Sequence, residues 1–127
     1  MESRRQQIIE QYIEAYNTFD IGGMLAHAHP DLVFEHRSNG RTELRLEGAD
    51  AFRRQAETAR RMFRERRQTV TAWQAEGDTL TADIDYRAVL DVALPNCMRP
   101  GDLMQLKGQS CFTFDAGDRI IRIEDRS

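Results

Sequence analysis

Three polar side chains, Tyr12, His36 and Ser110, stand in segments whose hydrophobic pattern turns them towards an apolar interior. Histidine exchanges a proton readily near neutral pH, and a tyrosine hydroxyl can donate a hydrogen bond to an oxygen that gains negative charge. A serine hydroxyl can contact a ligand as donor or acceptor. If the fold brings the three residues together, their types predict acid/base chemistry that needs no cofactor and no metal.

Each of these residues also has a purely structural interpretation. His36 shares a strand face with Phe34, so it is either a base in an apolar cavity or a hydrogen-bonded histidine of the core or rim. Tyr12 is either the electrophilic donor or a core tyrosine like Tyr16, four residues later. The hydroxyl of Ser110 is either a ligand contact or a buried group bonded to the backbone. The residues alone leave these alternatives open.

The elements that must position the three side chains begin with helices. Apolar residues recur at helical spacing and predict a first helix from about residue 4 to 18, with Ser3 and Gln6 fitting a capping box. Asp20 can cap a second, shorter helix. That helix must end just before Pro30, because a proline disfavours α geometry in the residue before it.

A strand from Asp31 to Arg37 is predicted next, followed by a turn at 38–40, a brief strand at 42–46 and a third helix that opens at Gly48. The predicted buried stripe of the third helix consists of Phe52, Ala56, Ala59 and Phe63. Seven arginines surround this helix, and because glutamates interleave with them they are interpreted as a solvated surface. They are Arg53, Arg54, Arg60, Arg61, Arg64, Arg66 and Arg67.

From about residue 67 the hydrophobic period changes from 3.6 to 2, which predicts strands at about 67–76, 80–90, 103–114 and 119–125. Turn residues at 77–78 and 116–118 connect them as a meander. Asp83 and Asp85 alternate with apolar residues and are expected on the solvent side. The apolar connection at 92–101 closes the mouth of a pocket, packs against another subunit or covers its own hairpin.

Composition limits the class of protein. The 127 residues form one expected domain, 1–127, with a core that needs no disulfide or metal. A net charge of −3 disfavours nucleic acid and anionic membranes as partners. No signal or spanning segment is recognisable, so a cytoplasmic location is expected. Cys97 and Cys111 match no metal spacing and are expected to be free thiols.

The order of helix, short helix, strand, helix and four long strands resembles the nuclear transport factor 2-like superfamily, and within it the SnoaL-like and ketosteroid-isomerase-like proteins. The local similarities lie in Gln11–Ile13 and Asn17–Asp20 of the first helix, Pro30–Glu35 at the first strand, Gly48–Phe52 at the third helix and Phe112–Ile121 near the end. The resemblance covers nearly the whole chain. It implies an α+β, cone-shaped, cystatin-like fold in which three N-terminal helices pack on a curved antiparallel sheet and enclose a pocket.

The resemblance also implies roles. In ketosteroid isomerase, an Asp base moves a proton while a Tyr and a protonated Asp donate hydrogen bonds to the enolate oxygen. Tyr12 falls at the position of that Tyr, but His36 replaces the base and Ser110 replaces the second acid, so steroid isomerisation of that type is not expected. The expected function is binding of a small apolar organic molecule, with isomerase, hydratase or hydrolase chemistry, or else a non-catalytic binding or dimerisation module.

Two further expectations complete this interpretation. The ligand-contacting residues should be Tyr16, Phe34, Phe63, Tyr86 and Phe112. The chain should form a homodimer through the face of the sheet that the helices leave uncovered, as is common in the family that it resembles.

Overall fold

The computed structural model describes residues 3–93 and 98–127, and these form three helices and six strands. In chain order the elements are α1 (Arg4–Asn17), α2 (Ile21–Leu25), β1 (Ala28–Ser38), β2 (Arg41–Glu47), α3 (Ala49–Arg60), β3 (Phe63–Glu76), β4 (Thr79–Leu90), β5 (Leu103–Phe114) and β6 (Ile120–Arg126). No helix in these two ranges is long and apolar enough to cross a membrane. Residues 94–97 of the predicted connection at 92–101, including Cys97, lie outside the described ranges.

The first two helices begin where their caps were predicted. The Ser3 hydroxyl accepts a hydrogen bond from the backbone N–H of Gln6 at 3.1 Å, and the Asp20 carboxylate accepts one from Gly23 at 3.0 Å. The second helix nevertheless ends at Leu25, earlier than predicted, because the chain already pairs with β6 from Ala28 onward. The first strand is therefore longer than the predicted segment.

The six strands form one sheet in the order β2-β1-β6-β5-β4-β3. The predicted meander of the last four strands is confirmed, since each pairs antiparallel with the next. The expectation of an antiparallel sheet is wrong at one place: β1 and β6 are parallel, so the sheet is mixed. Hairpin connections make sequential neighbours antiparallel, but β1 and β6 meet from distant parts of the chain and no hairpin fixes their relative direction.

The junction between α3 and β3 also differs from the prediction. Phe63 is not part of the helical stripe, because α3 ends at Arg60 and Phe63 already pairs with Leu90 as the first residue of β3. The strand therefore starts four residues earlier than the change of period indicated. This longer strand sets which residues between 63 and 68 face inward.

The hydrophobic core lies between the helices and one face of the sheet. Its most completely buried large side chains are Ile9, Leu32, Leu90, Phe112, Phe114, Ile120 and Ile123. The other face of the sheet carries buried carboxylates under arginines, with Glu35 bonded to Arg45 and Arg122. The fold is thus α+β, with an apolar interior on one side of the sheet and a charged surface on the other.

Candidate functional site

A cavity of about 330 Å³ opens between the helices and the inner face of the sheet. This volume lies at the lower end of the ~300–1,000 Å³ range of small-molecule sites. Seven of the eight site residues predicted from the sequence line this cavity: Tyr12, Tyr16, Phe34, His36, Phe63, Tyr86 and Ser110. The eighth, Phe112, is fully buried behind the wall, where its ring meets that of Tyr12 edge-on at 5.3 Å between centroids.

The catalytic candidates from the sheet stand in one row across neighbouring strands. His36 of β1 is in parallel register with Asp125 of β6, and Asp125 is in antiparallel register with Ser110 of β5. Residues in register on adjacent strands point to the same face, so all three side chains enter the cavity together. The Ser110 hydroxyl donates a hydrogen bond of 2.7 Å to Asp125 Oδ1.

Asp125 is the functional candidate that sequence reasoning missed. Removal from water raises the pKa of its carboxyl above the ordinary value, while the hydrogen bond from Ser110 and the nearby imidazole of His36 act in the opposite direction. A carboxyl with a raised pKa in a cleft is a common feature of acid/base sites. The signal that could have found it is the alternation Ile121, Ile123, Asp125, which ends an apolar strand face with an acid.

Tyr12 enters the same cavity from α1 and is 5% exposed. Burial raises the pKa of its hydroxyl well above the ordinary value, and the negative charge of Asp125 raises it further. The phenol therefore stays protonated throughout the physiological pH range. A neutral buried phenol is a hydrogen-bond donor, which is the property that stabilising an oxyanion requires.

His36 lies at the rim of the row. Its Nε2 atom is 3.5 Å from the Ser127 hydroxyl, which is too long for a strong hydrogen bond. The imidazole is partly buried and lines the cavity. It is therefore placed both to act on Asp125 and to meet a bound molecule.

The other end of the cavity contains two more tyrosines. The hydroxyls of Tyr16 and Tyr86 are 3.0 Å apart and share a hydrogen bond. Burial raises the pKa of both phenols, so both stay neutral. The two rings meet edge-on at 6.2 Å between centroids, which gives this end an aromatic wall with a polar tip.

Arg66 and Gln68 line this end as well, and Arg66 corrects the interpretation of the arginine cluster as a solvated surface. The other six arginines are exposed, but Arg66 is 5% exposed because it lies in β3 and not on a helix surface. A register shift between Phe63 and Glu65 lets residues 66 and 68 face inward although Phe63 also lines the cavity. Asp83 and Asp85 behave as predicted and lie on the opposite face, where Asp83 accepts a hydrogen bond from Gln109.

Within residues 3–93 and 98–127, no three His, Cys, Asp or Glu side chains come together in a way that could hold a metal ion. Cys111 is a free, buried thiol on the outer face of the sheet, beside Thr81. The polar groups of the cavity are therefore proton donors and acceptors and three cationic side chains, those of Arg66, Lys107 and Arg126.

Comparison with known proteins agrees with this architecture. Residues 9–123 match the SnoaL-like domain family, and the chain belongs to that family. None of the curated proteins matches the sequence.

Similar solved structures share the nuclear transport factor 2-like fold at low sequence identity. A proposed polyketide cyclase from Xanthomonas campestris pv. campestris has a TM-score of 0.79 and 23% identity, with 98% of this chain and 90% of that chain covered. A proposed SnoaL-like polyketide cyclase from Shewanella denitrificans has a TM-score of 0.80 and 16% identity, with the same coverage. A proposed hydroxylase from Streptomyces galilaeus has a TM-score of 0.74 and 19% identity, covering 95% and 86%.

Proposed function

We propose that this protein binds a small, largely apolar organic molecule in the cavity and moves a proton at a carbon next to a carbonyl, without a cofactor. The observation that carries the proposal is the row of His36, Asp125 and Ser110 in a cavity that also presents the neutral hydroxyl of Tyr12. An apolar pocket with a few convergent polar groups and a perturbed carboxyl is the usual form of such a site. The reaction type is that of an isomerase, hydratase or hydrolase.

The residues divide the reaction between them. The ionised carboxylate of Asp125 takes a proton from carbon; the C–H electron pair moves towards the carbonyl, whose oxygen becomes an enolate oxygen. Tyr12 donates a hydrogen bond to that oxygen. Return of the proton to another atom of the substrate completes an isomerisation and restores the carboxylate.

His36 and Ser110 act on Asp125. The imidazole favours the ionised carboxylate, and the serine hydroxyl fixes the orientation of Oδ1. The base role that the sequence assigned to His36 is thus shared in this proposal with Asp125, because the two residues are register neighbours on β1 and β6. The names of the structural neighbours, two of them proposed polyketide cyclases, support an organic carbonyl compound as the ligand class.

Deuterium incorporation tests the proton transfer without knowledge of the natural substrate. In D₂O, NMR should show that the protein accelerates exchange of the acidic C–H next to the carbonyl of 2-tetralone, a small apolar ketone. Asp125→Asn and His36→Gln should each slow this exchange by about 10²–10⁴-fold, as expected for loss of an acid/base group. Asp85→Asn removes the same charge from the outer face and should leave the rate unchanged.

The competing assignment, a binding module without chemistry, predicts a different result. In that case 2-tetralone binds but exchanges at the buffer rate in every variant. Native mass spectrometry of the purified protein gives an independent check, because a retained small molecule would identify the ligand directly.

A further inference from the structure

Arg66 is a buried cation for which the described chain provides no carboxylate. Its side chain is 5% exposed, yet it forms no ion pair with any acidic residue in 3–93 or 98–127. Charges removed from water in proteins are ordinarily paired, because the lost hydration is otherwise uncompensated. The position of Arg66 in the cavity wall therefore requires an explanation.

The protein compensates this charge only in part. Arg66 Nε donates to the carbonyl oxygen of Tyr16 in the last turn of α1 at 2.9 Å, and Nη2 approaches the weak acceptor Met24 Sδ at 3.9 Å. The guanidinium also lies over the rings of Tyr16 and Phe19, at 3.7 Å and 4.5 Å from their centroids. A guanidinium has five N–H groups. The others have no hydrogen-bond acceptor in the described part of the chain.

Gln68 adds a second unsatisfied group next to the first. Its backbone N–H and C=O are both bonded to the Asn17 side chain, but its side-chain oxygen is completely buried and has no hydrogen-bond partner. Gln68 is 9% exposed and occupies the next inward position of β3 after Arg66. Native proteins leave few such groups. A half-turn of the amide exchanges its oxygen and its NH2 group, so Gln68 can present a hydrogen-bond donor to an anion beside Arg66.

This polar end is separate from the acid/base row. Arg66 is in register with Ala88 and Met104, whereas Asp125 is in register with Ser110. Met104 and Ser110 are six residues apart on β5, or ~20 Å along an extended strand. The carboxyl and the guanidinium therefore come from different positions along the sheet wall of the cavity, and the charges of both act on the Tyr12 hydroxyl.

We propose that the ligand of this cavity carries an anionic oxygen group, a carboxylate in the simplest case, that binds Arg66 and Gln68. The inference rests on the proposed function, since it names the substrate class of the same cavity. Arginine binds a carboxylate through two parallel N–H groups, and the Gln68 amide and the Tyr16–Tyr86 hydroxyls provide further polar contacts. The ligand would then be held by its acid group at one end while its carbonyl-bearing end meets Tyr12 and Asp125.

Two probes of nearly the same shape test this proposal by calorimetry at pH 7: 2-naphthoate, which carries the carboxylate, and 2-naphthamide, its neutral counterpart. The wild type should bind 2-naphthoate more tightly. Arg66→Met keeps the length of the side chain and removes the charge. It should lower the affinity for 2-naphthoate by about 10- to 100-fold and leave the affinity for 2-naphthamide nearly unchanged. Arg67→Met changes the net charge equally on the exposed face of the same strand and is the matched control.

A stability measurement separates the binding role from a structural one. If Arg66 serves mainly to cap α1 through Tyr16, Arg66→Met should lower the melting temperature markedly and reduce the affinity for both probes equally. That result would overturn the proposal. If Arg66 binds the ligand, the loss of affinity should be confined to 2-naphthoate, even where the lost hydrogen bond to Tyr16 and the lost ring contacts lower the melting temperature.

The remaining outcomes distinguish this inference from the function on which it rests. Equal affinity of the wild type for the two probes would refute the acidic-ligand proposal and leave acid/base chemistry on a neutral ligand in place. Failure of both probes to bind the wild type would count against ligand binding in the cavity and so against both proposals. If Arg67→Met lost as much affinity for 2-naphthoate as Arg66→Met, only the net charge of the protein would matter. That result would also contradict a specific role for Arg66.

Discussion

Asp125→Asn provides a test that needs neither substrate nor ligand. Folding raises the pKa of the Asp125 carboxyl, so the folded protein holds this proton more tightly than the unfolded chain does. The stabilising contribution of the group is therefore complete below the ordinary Asp pKa and is lost as the pH rises through the raised pKa. Asparagine imitates the neutral acid, and its side-chain oxygen can still accept the hydrogen bond of Ser110.

The expected magnitude follows from the linkage between pKa and stability. Each unit by which folding raises the pKa costs about 1.4 kcal/mol once the pH exceeds the folded value. Unfolding entropy is about 2.1 cal/mol/K per residue, so for 127 residues this cost corresponds to about 5 °C in melting temperature. Asp125→Asn should therefore melt above the wild type at pH 7 to 8, while losing the proton transfer.

The assay is a series of thermal melts from pH 3 to pH 8 on wild type, Asp125→Asn and Asp85→Asn. The higher melting temperature of Asp125→Asn should no longer be seen below about pH 4, the ordinary pKa of an Asp carboxyl. Asp85 is exposed on the outer face, so its variant should follow the wild type at every pH. If Asp125→Asn is instead destabilised by the same amount at all pH values, the carboxyl is an ordinary structural acceptor and the reasoning from burial is wrong.

The other predictions concern Tyr12, the sheet and the assembly. Tyr12→Phe should keep the edge-on contact with Phe112 and leave the melting temperature unchanged. It should slow hydrogen exchange of the ketone by about 10²–10³-fold in the deuterium assay, as loss of an oxyanion donor does. A changed melting temperature with an unchanged exchange rate would contradict this role. Gly108→Ala should lower the free energy of unfolding by about 1–3 kcal/mol in chemical denaturation, because the added Cβ would overlap the carbonyl oxygen of Arg126. In the control Gly22→Ala the added Cβ meets only ordinary contacts, so this variant should not be destabilised. Sedimentation should give about twice the 14.7 kDa chain mass if the uncovered sheet face joins two copies; a monomer at micromolar concentration would refute the dimer.

The sequence by itself determined the fold class and the order of the elements. Helical and strand periods are local properties, so α1, α3 and the meander of the last four strands follow from spacing and turn residues alone. The inward direction of Tyr12, His36 and Ser110 follows in the same way, because a residue's face within one helix or strand depends only on its neighbours.

Only the tertiary structure decided which groups meet. The parallel pairing of β1 with β6 places Asp125 between His36 and Ser110, and no local pattern records a contact between strands so distant in the chain. The four-residue extension of β3 likewise turned Arg66 from an expected surface residue into a buried cation, because pairing with β4 outweighed the helical pattern around residue 63. Register between strands is set by packing of the whole sheet, and the chemistry of this cavity depends on that register.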